Sequence, residues 1–129
     1  MTYLYSLANA SLALRVVEFL HDRQDLPLES MTVIHQIDGW VVSIRFRYLL
    51  EPHIHSDFQA FMRELGIPYE PTVRVQMALW SLETGQSPVE VMRHYQIVVV
   101  SHGSPDSAEI EAFRGQFVQG LGYCPETLA

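Results

Sequence analysis

"MTVIHQIDGWVVSIRFRY", residues 31 to 48, decides the fold. Apolar and polar residues alternate on both sides of Asp38-Gly39, and an Asp-Gly pair favours a tight hairpin turn whose two positions take positive φ. The pattern predicts antiparallel strands over about residues 31–38 and 40–49. A turn at Asp38-Gly39 sets Ile37 opposite Trp40, His35 opposite Val42, Val33 opposite Ile44 and Met31 opposite Phe46. Opposed residues share a face of the sheet, so one face is almost wholly apolar. The other carries Thr32, Ile34, Gln36, Ser43, Arg45 and Arg47, and is expected to meet solvent or a partner.

Around the hairpin the periodicity is mostly helical. Leu12, Val16, Phe19 and Leu20 predict a helix over about residues 7–22, with His21 and Arg23 near its negative end. After Pro52, Ser56 and Gln59 have the form of a capping box, and Phe58, Phe61, Met62 and Leu65 make the stripe of a helix ending at Gly66. "GIPYEP", residues 66–71, reads as a loop. Residues 72–83 open with strand-like alternation, but Val73, Met77 and Trp80 fit a helix better. Ser87-Pro88-Val89-Glu90 caps a short helix reaching Tyr95. "QIVVVS", residues 96–101, is a β-branched run of the kind buried on both faces. Ser104-Pro105 is expected to open a last helix, with Ile110, Phe113, Phe117 and Leu121 inward and glycines 120 and 122 at its end. "YCPETLA", residues 123–129, then reads as a loose tail. The sum is an α+β single domain: the hairpin, a buried strand at about 96–101, and four to five helices covering one face.

A chain of 129 residues, 48% hydrophobic and 18% charged, can bury a core of its own. Its formal charge of −7 disfavours broad affinity for nucleic acid or anionic lipid. All 8 basic residues are arginine, which codon bias explains. Cys124 is the only cysteine, so no internal disulfide forms and a reducing compartment fits. The first ten residues lack the basic start of a secretory signal. The apolar stretch from Leu12 to Leu20 is broken by Arg15 and Glu18 and is too short to span a bilayer. The expected location is cytoplasmic, with no membrane contact.

Three stretches carry candidate chemistry. "HIHSDF", residues 53–58, resembles the first metal-binding motif of phosphoesterases of the polymerase-and-histidinol-phosphatase type. The resemblance implies His53 and His55 as ligands of a divalent metal. In that family the motif ends an early strand of a large barrel, which needs upward of roughly 200 residues. A metal also needs at least three convergent ligands. His35, the obvious third, lies about 23 Å from the hairpin's end at 3.3 Å per residue, and reads as a core histidine with one hydrogen-bonded nitrogen. "VVVSHGSPDSAEIEAF", residues 98–113, resembles the strand, His-Gly-Ser turn and helix that open the sirohydrochlorin-type chelatases. That resemblance implies His102 as a metal-positioning residue, although too little chain follows for that family's long α/β domain. Ordinary strand-to-helix chemistry also accounts for it: Gly103 permits the turn and Ser104 caps the helix. Such a helix start can hold an anion, which makes Gly103 and Ser104 an anion-binding candidate.

"VQMALWSLETGQSPVEVMRHYQI", within residues 73–97, resembles the first two helices of the helix-turn-helix in transposase-like and recombinase-like proteins. The recognition helix should follow Ile97, where the sequence turns to "VVVSHG", and only Arg74 and Arg93 lie nearby. Cys124 has no cationic neighbour in sequence to activate it. No nucleophile triad or glycine-rich nucleotide loop is present, so no cofactor is implied. The leading expectation is therefore a non-catalytic binding or regulatory module acting through protein contacts. The alternatives are a small metal-dependent enzyme using His53 and His55 with His102, and a DNA-binding regulator built on residues 73–97. Arg45 and Arg47 form the one local basic stripe of an acidic protein, a candidate docking site for an acidic partner. The apolar run Ile97 to Val100 needs a neighbour on each side. "TYLY" at residues 2–5 and residues 72–77 are the weak candidates within the chain, so a homodimer is expected near this strand.

Overall fold

The hairpin is present as the middle of a larger sheet. In chain order the elements are Thr2–Leu7 (β1), Ala10–Asp22 (α1), Leu28–Gln36 (β2), Gly39–Phe46 (β3), Pro52–Leu65 (α2), Gly66–Pro68 (β4), Val73–Glu83 (α3), Pro88–Tyr95 (α4), Val98–Gly103 (β5) and Ser107–Leu121 (α5). A 3-10 turn over Glu126–Leu128 follows. The computed structural model describes every residue from Met1 to Ala129. The strands form one antiparallel sheet in the order β4-β1-β3-β2-β5. The class is α+β, as the sequence implies. No helix is long and apolar enough to cross a membrane.

The turn sits one residue earlier than Asp38-Gly39. Gln36 pairs with Gly39, His35 with Trp40, Val33 with Val42 and Met31 with Ile44, so Ile37 and Asp38 form the loop. Neither has positive φ, and neither does Gly39. Gly39 is there for close approach: a Cβ on it would lie 2.7 Å from the carbonyl oxygen of Leu7. Relative to the expected pairing, each β2 residue meets β3 two residues away. That is one full pleat period, so every side chain keeps its face. The cost is Ile37, left 97% exposed at the tip.

Both faces of the sheet are covered, a correction to the expectation of helices on one face. Tyr3, Tyr5, Leu7, Met31, Val33, Trp40, Val42, Ile44 and Phe46 pack against α1, α2 and α5. Ile34 and Val41 on the opposite face, with Val99, pack against Val75, Ala78, Leu79 and Leu82 of α3 and Val91 of α4. Thr32 and Ser43, expected in solvent, are buried there. The reason is local: Ile34 and Val41 are a dry patch that needs a cover, and Thr32 and Ser43 are small enough to fit beneath one.

Several boundaries move for identifiable reasons. "TYLY" is β1, alternating Tyr3, Tyr5 and Leu7 into the core, and it pairs with β3 instead of β5. Helix α2 starts at Pro52, because proline's fixed φ and missing N–H suit the first helical position. Ser56 is thus inside the helix and caps nothing. "GIP" is a short strand, not a loop. Helix α5 is capped by Asp106, whose carboxylate accepts from the Ala108 N–H at 2.9 Å, not by Ser104. Its expected inward stripe is shallow. Only Ile110 is fully buried, while Phe117 and Leu121 are substantially exposed.

The tail is also docked. Leu128 is fully buried, Trp40 Nε1 donates to the Thr127 carbonyl at 2.6 Å, and Ser11 Oγ donates to the Ala129 carbonyl. A loose tail would tolerate Leu128→Ala. The packing predicts a loss of about 2–4 kcal/mol, typical of leucine truncation in a core, and faster cleavage of residues 123–129 under limited proteolysis. Urea denaturation checks the first and mass spectrometry of the digest the second.

Candidate functional site

The histidines do not gather. His53 is exposed on the first turn of α2, its Nδ1 3.7 Å from Glu51 Oε2. His55, two residues on, turns to the sheet and shares a hydrogen bond between its Nδ1 and the Tyr3 hydroxyl, 2.5 Å long. Tyr3 is buried between His55, Phe46 and Phe58, and burial raises its phenol pKa. His102 lies elsewhere: it is opposite Thr32 in the β2–β5 register, and its Nδ1 hydrogen-bonds the Thr32 hydroxyl at 2.8 Å. Thr32 alternates onto the face of Ile34, covered by α3 and α4, whereas Tyr3 is on the face of α1 and α2. The sheet therefore separates His102 from His53 and His55. No three His, Cys, Asp or Glu side chains stand close enough to share a metal ion.

Gly103 takes a φ of +120°, the left-handed region its turn requires. Ser104 follows it without contributing to the helix start, where the Asp106 carboxylate already occupies the N-terminal amide of Ala108. A negative group in that place competes with any incoming anion. The third stretch forms two helices in the expected order. Thr72 caps α3 and Ser87 caps α4, each hydroxyl accepting from the N–H three residues on. Strand β5, not a third helix, follows α4.

The basic stripe divides. Arg45 is held between two carboxylates, with Nε 3.0 Å from Glu29 Oε2 and a guanidinium nitrogen 3.4 Å from Glu83 Oε2. Arg47 is exposed beside His21, Arg23 and Tyr48 in a shallow cleft, and its N–H donates to the Pro27 carbonyl at 2.8 Å. Arg23 there is already clamped to Asp25 by two bonds of 2.8 Å, which raise the guanidinium pKa and lower that of the carboxyl.

His35 differs from the expected core histidine. Its ring packs against Trp40, Phe113 and Phe117 with centroid distances of 4.9, 5.2 and 5.6 Å. Its Nε2 is buried with no hydrogen-bond partner, and burial lowers its pKa.

Two apolar surface features stand beside these groups. Val73, Met77 and Trp80, which define α3 by their spacing, point outward, with Trp80 61% exposed. The buried stripe is Val75, Ala78, Leu79 and Leu82. Beside Trp80 a cleft of about 220 Å³ is lined by Leu4, Ser43 and Pro71. The second is β5, the strand for which the sequence offers only weak second neighbours within the chain. It has one neighbour, β2, and presents a free edge with Val98 41% exposed. An apolar helix stripe looks the same in sequence whether covered or bare, so only the packing shows that the one on α3 is bare.

No protein-family model matches the chain, and no curated protein or solved structure matches it either.

The two neighbouring histidines should differ in stability. His55→Ala strands a buried tyrosine hydroxyl and is expected to cost about 1–3 kcal/mol, while exposed His53→Ala should be near neutral. Chemical denaturation of both variants checks this. Equal effects would refute the Tyr3–His55 contact.

Proposed function

We propose that this chain is a non-catalytic binding module acting through protein contacts, and that its partner along β5 is a second copy of itself. One observation carries the proposal: the two edges of the sheet differ. The β4 edge is 3 residues long and ends at Pro68, which has no N–H to offer. The β5 edge is 6 residues long, and its ladder partner β2 leaves the outer row of backbone donors and acceptors free. Between Ile97 and Pro105 the only ionisable side chain is His102, and it is turned to Thr32. No like charges would meet if two such edges came together.

Two identical edges can pair antiparallel across a two-fold axis, which makes each contact twice and closes the assembly. A standard interface covers about 800 Å² per partner, more than a short strand supplies. The remainder is at hand beside the edge. Helix α5 leaves Phe117 and Leu121 exposed one turn apart, and Phe117 touches His35, which is paired with Val98. The only protection on β5 is a register shift that leaves Val100 as an extra residue opposite Val33 and Ile34. The outer stripe of α3 adds a second exposed apolar surface, Val73, Met77 and Trp80, with the tryptophan and methionine favoured at contact sites. A cytoplasmic setting suits such a module, whose one thiol is free and exposed.

Sedimentation equilibrium at tens of micromolar is expected to give a dimer. Val98→Lys, a charge placed on an edge position that already reaches water, should give a folded monomer with an unchanged circular dichroism spectrum. A native protein that stays monomeric at high micromolar concentration, or a lysine variant that still dimerises, overturns the proposal.

A further inference from the structure

His35 is the one buried polar side-chain atom in the fold without a partner. Two rings of α5 pack against it, Phe113 and Phe117, at tilted angles of 53° and 57°. From Phe113 onward the helix is held to the core only by partly buried side chains, Phe113 and Val118. Ile110, near its start, is its only fully buried residue, and Gly115 and Gly120 interrupt it with the poorest helix former after proline. His35 as a whole is half-buried, but a protonated ring carries an N–H on both nitrogens. Charging it would leave the buried Nε2–H without an acceptor, which is costly, and a few ångströms of helix movement would bring that nitrogen to water.

We infer that His35 is a proton-sensitive latch for α5. Neutral, it lets Phe113 and Phe117 close over it; protonated, it opens that contact and the second half of the helix leaves the sheet. The consequence for assembly rests on the proposed β5 pairing, because Phe117 and Leu121 flank that edge. Acid would then split the dimer by removing its apolar lip.

The surrounding charges do not offset this. The turn carries Asp38, α5 carries Glu109, Glu111 and Arg114, and the docked tail carries Glu126. None is hydrogen-bonded or ion-paired to His35, and Arg114 faces Glu111 at 3.8 Å. On β5, His102 is engaged with Thr32 on the other side of the sheet. Burial alone lowers the His35 pKa below the usual 6.5. The unfolded chain therefore binds the proton more readily than the folded one. The stability contribution is complete above about pH 6.5 and is lost as pH falls through the depressed value.

Hydrogen exchange followed by mass spectrometry, corrected for the intrinsic pH effect, reads the latch directly. Between pH 7.5 and 5.5 the amides of residues 113–121 should lose protection several-fold in the native protein, and keep it in His35→Phe, whose ring fills the same box. An NMR titration of His35 in the native protein gives a readout that needs no variant. Unchanged protection, the same loss in His35→Phe, or a His35 pKa at or above the ordinary value sinks the latch. Sedimentation at both pH values separates the two proposals. A monomer throughout, with α5 still released by acid, removes the dimer and leaves the latch standing. A dimer indifferent to pH, with α5 still protected, does the reverse.

Discussion

Gly39 begins β3 within van der Waals contact of β1, where a methyl group would collide with the Leu7 carbonyl oxygen at 2.7 Å. Gly66 of β4 approaches the same stretch of β1 from the other side, against the Ser6 carbonyl. Two missing side chains thus let three strands close on residues 6 and 7. With that approach allowed, β1 pairs with β3 along its whole length, from Leu7 opposite Trp40 to Thr2 opposite Arg45. β3 then has a strand on each side, and its chain of side chains from Trp40 to Ile44 must be covered above and below. Helices on both faces follow from that requirement. So does the docking of the tail, since Trp40 is buried far enough to need an acceptor for its Nε1–H and finds it in Thr127.

A central strand has little room for charge, and β3 carries only one charged residue, Arg45, near its end. There the guanidinium can leave the sheet and reach Glu29 on β2 and Glu83 on α3. The pair with Glu83 ties the end of α3 to the strand it covers. Because these groups are more than a third exposed on the arginine side, their worth lies more in orientation than in free energy, as is usual for solvent-screened pairs. The same residue seen in sequence is one member of an alternating basic stripe. In the fold it is neutralised twice, and Arg47 alone stays free.

How far the sequence could be read depends on which kind of constraint each residue obeys. Periodicity on one face is local information, and it located α1, the β2–β3 pair, α3, α4 and the alternation that buries Met31, Val33, Val42 and Ile44. It even survived an error in the turn, since a shift by a whole pleat leaves the faces alone. Long-range constraints were not readable. Gly39 looks like a turn residue because Asp-Gly usually is one, and nothing in its neighbours announces Leu7. The outward direction of Val73, Met77 and Trp80 could not be told from an inward one, because a second apolar stripe, Val75, Ala78, Leu79 and Leu82, runs beside it on the same helix. Leu128 follows the only cysteine in an otherwise featureless tail, and its burial depends on distant residues, the α1 and Trp40 side chains of the cluster that it joins.

The histidines show why the site stayed ambiguous in sequence. A His-x-His spacing suggests chemistry only if the fold brings a third ligand to the same point, and a strand-and-helix sandwich has two separate interiors. Here each interior takes its own histidine for its own need. His55 satisfies the hydroxyl of a tyrosine sunk among Phe46 and Phe58, and His102 satisfies the hydroxyl of a threonine sunk beneath α3 and α4. Both are pairings of a buried polar group with the nearest partner able to donate or accept as required. His35 alone has no such partner on Nε2, and it lies where the sheet's free edge meets the exposed half of α5. Where His55 and His102 each meet a hydroxyl, His35 meets only aromatic rings, so a proton on its Nε2 gains no acceptor within the fold.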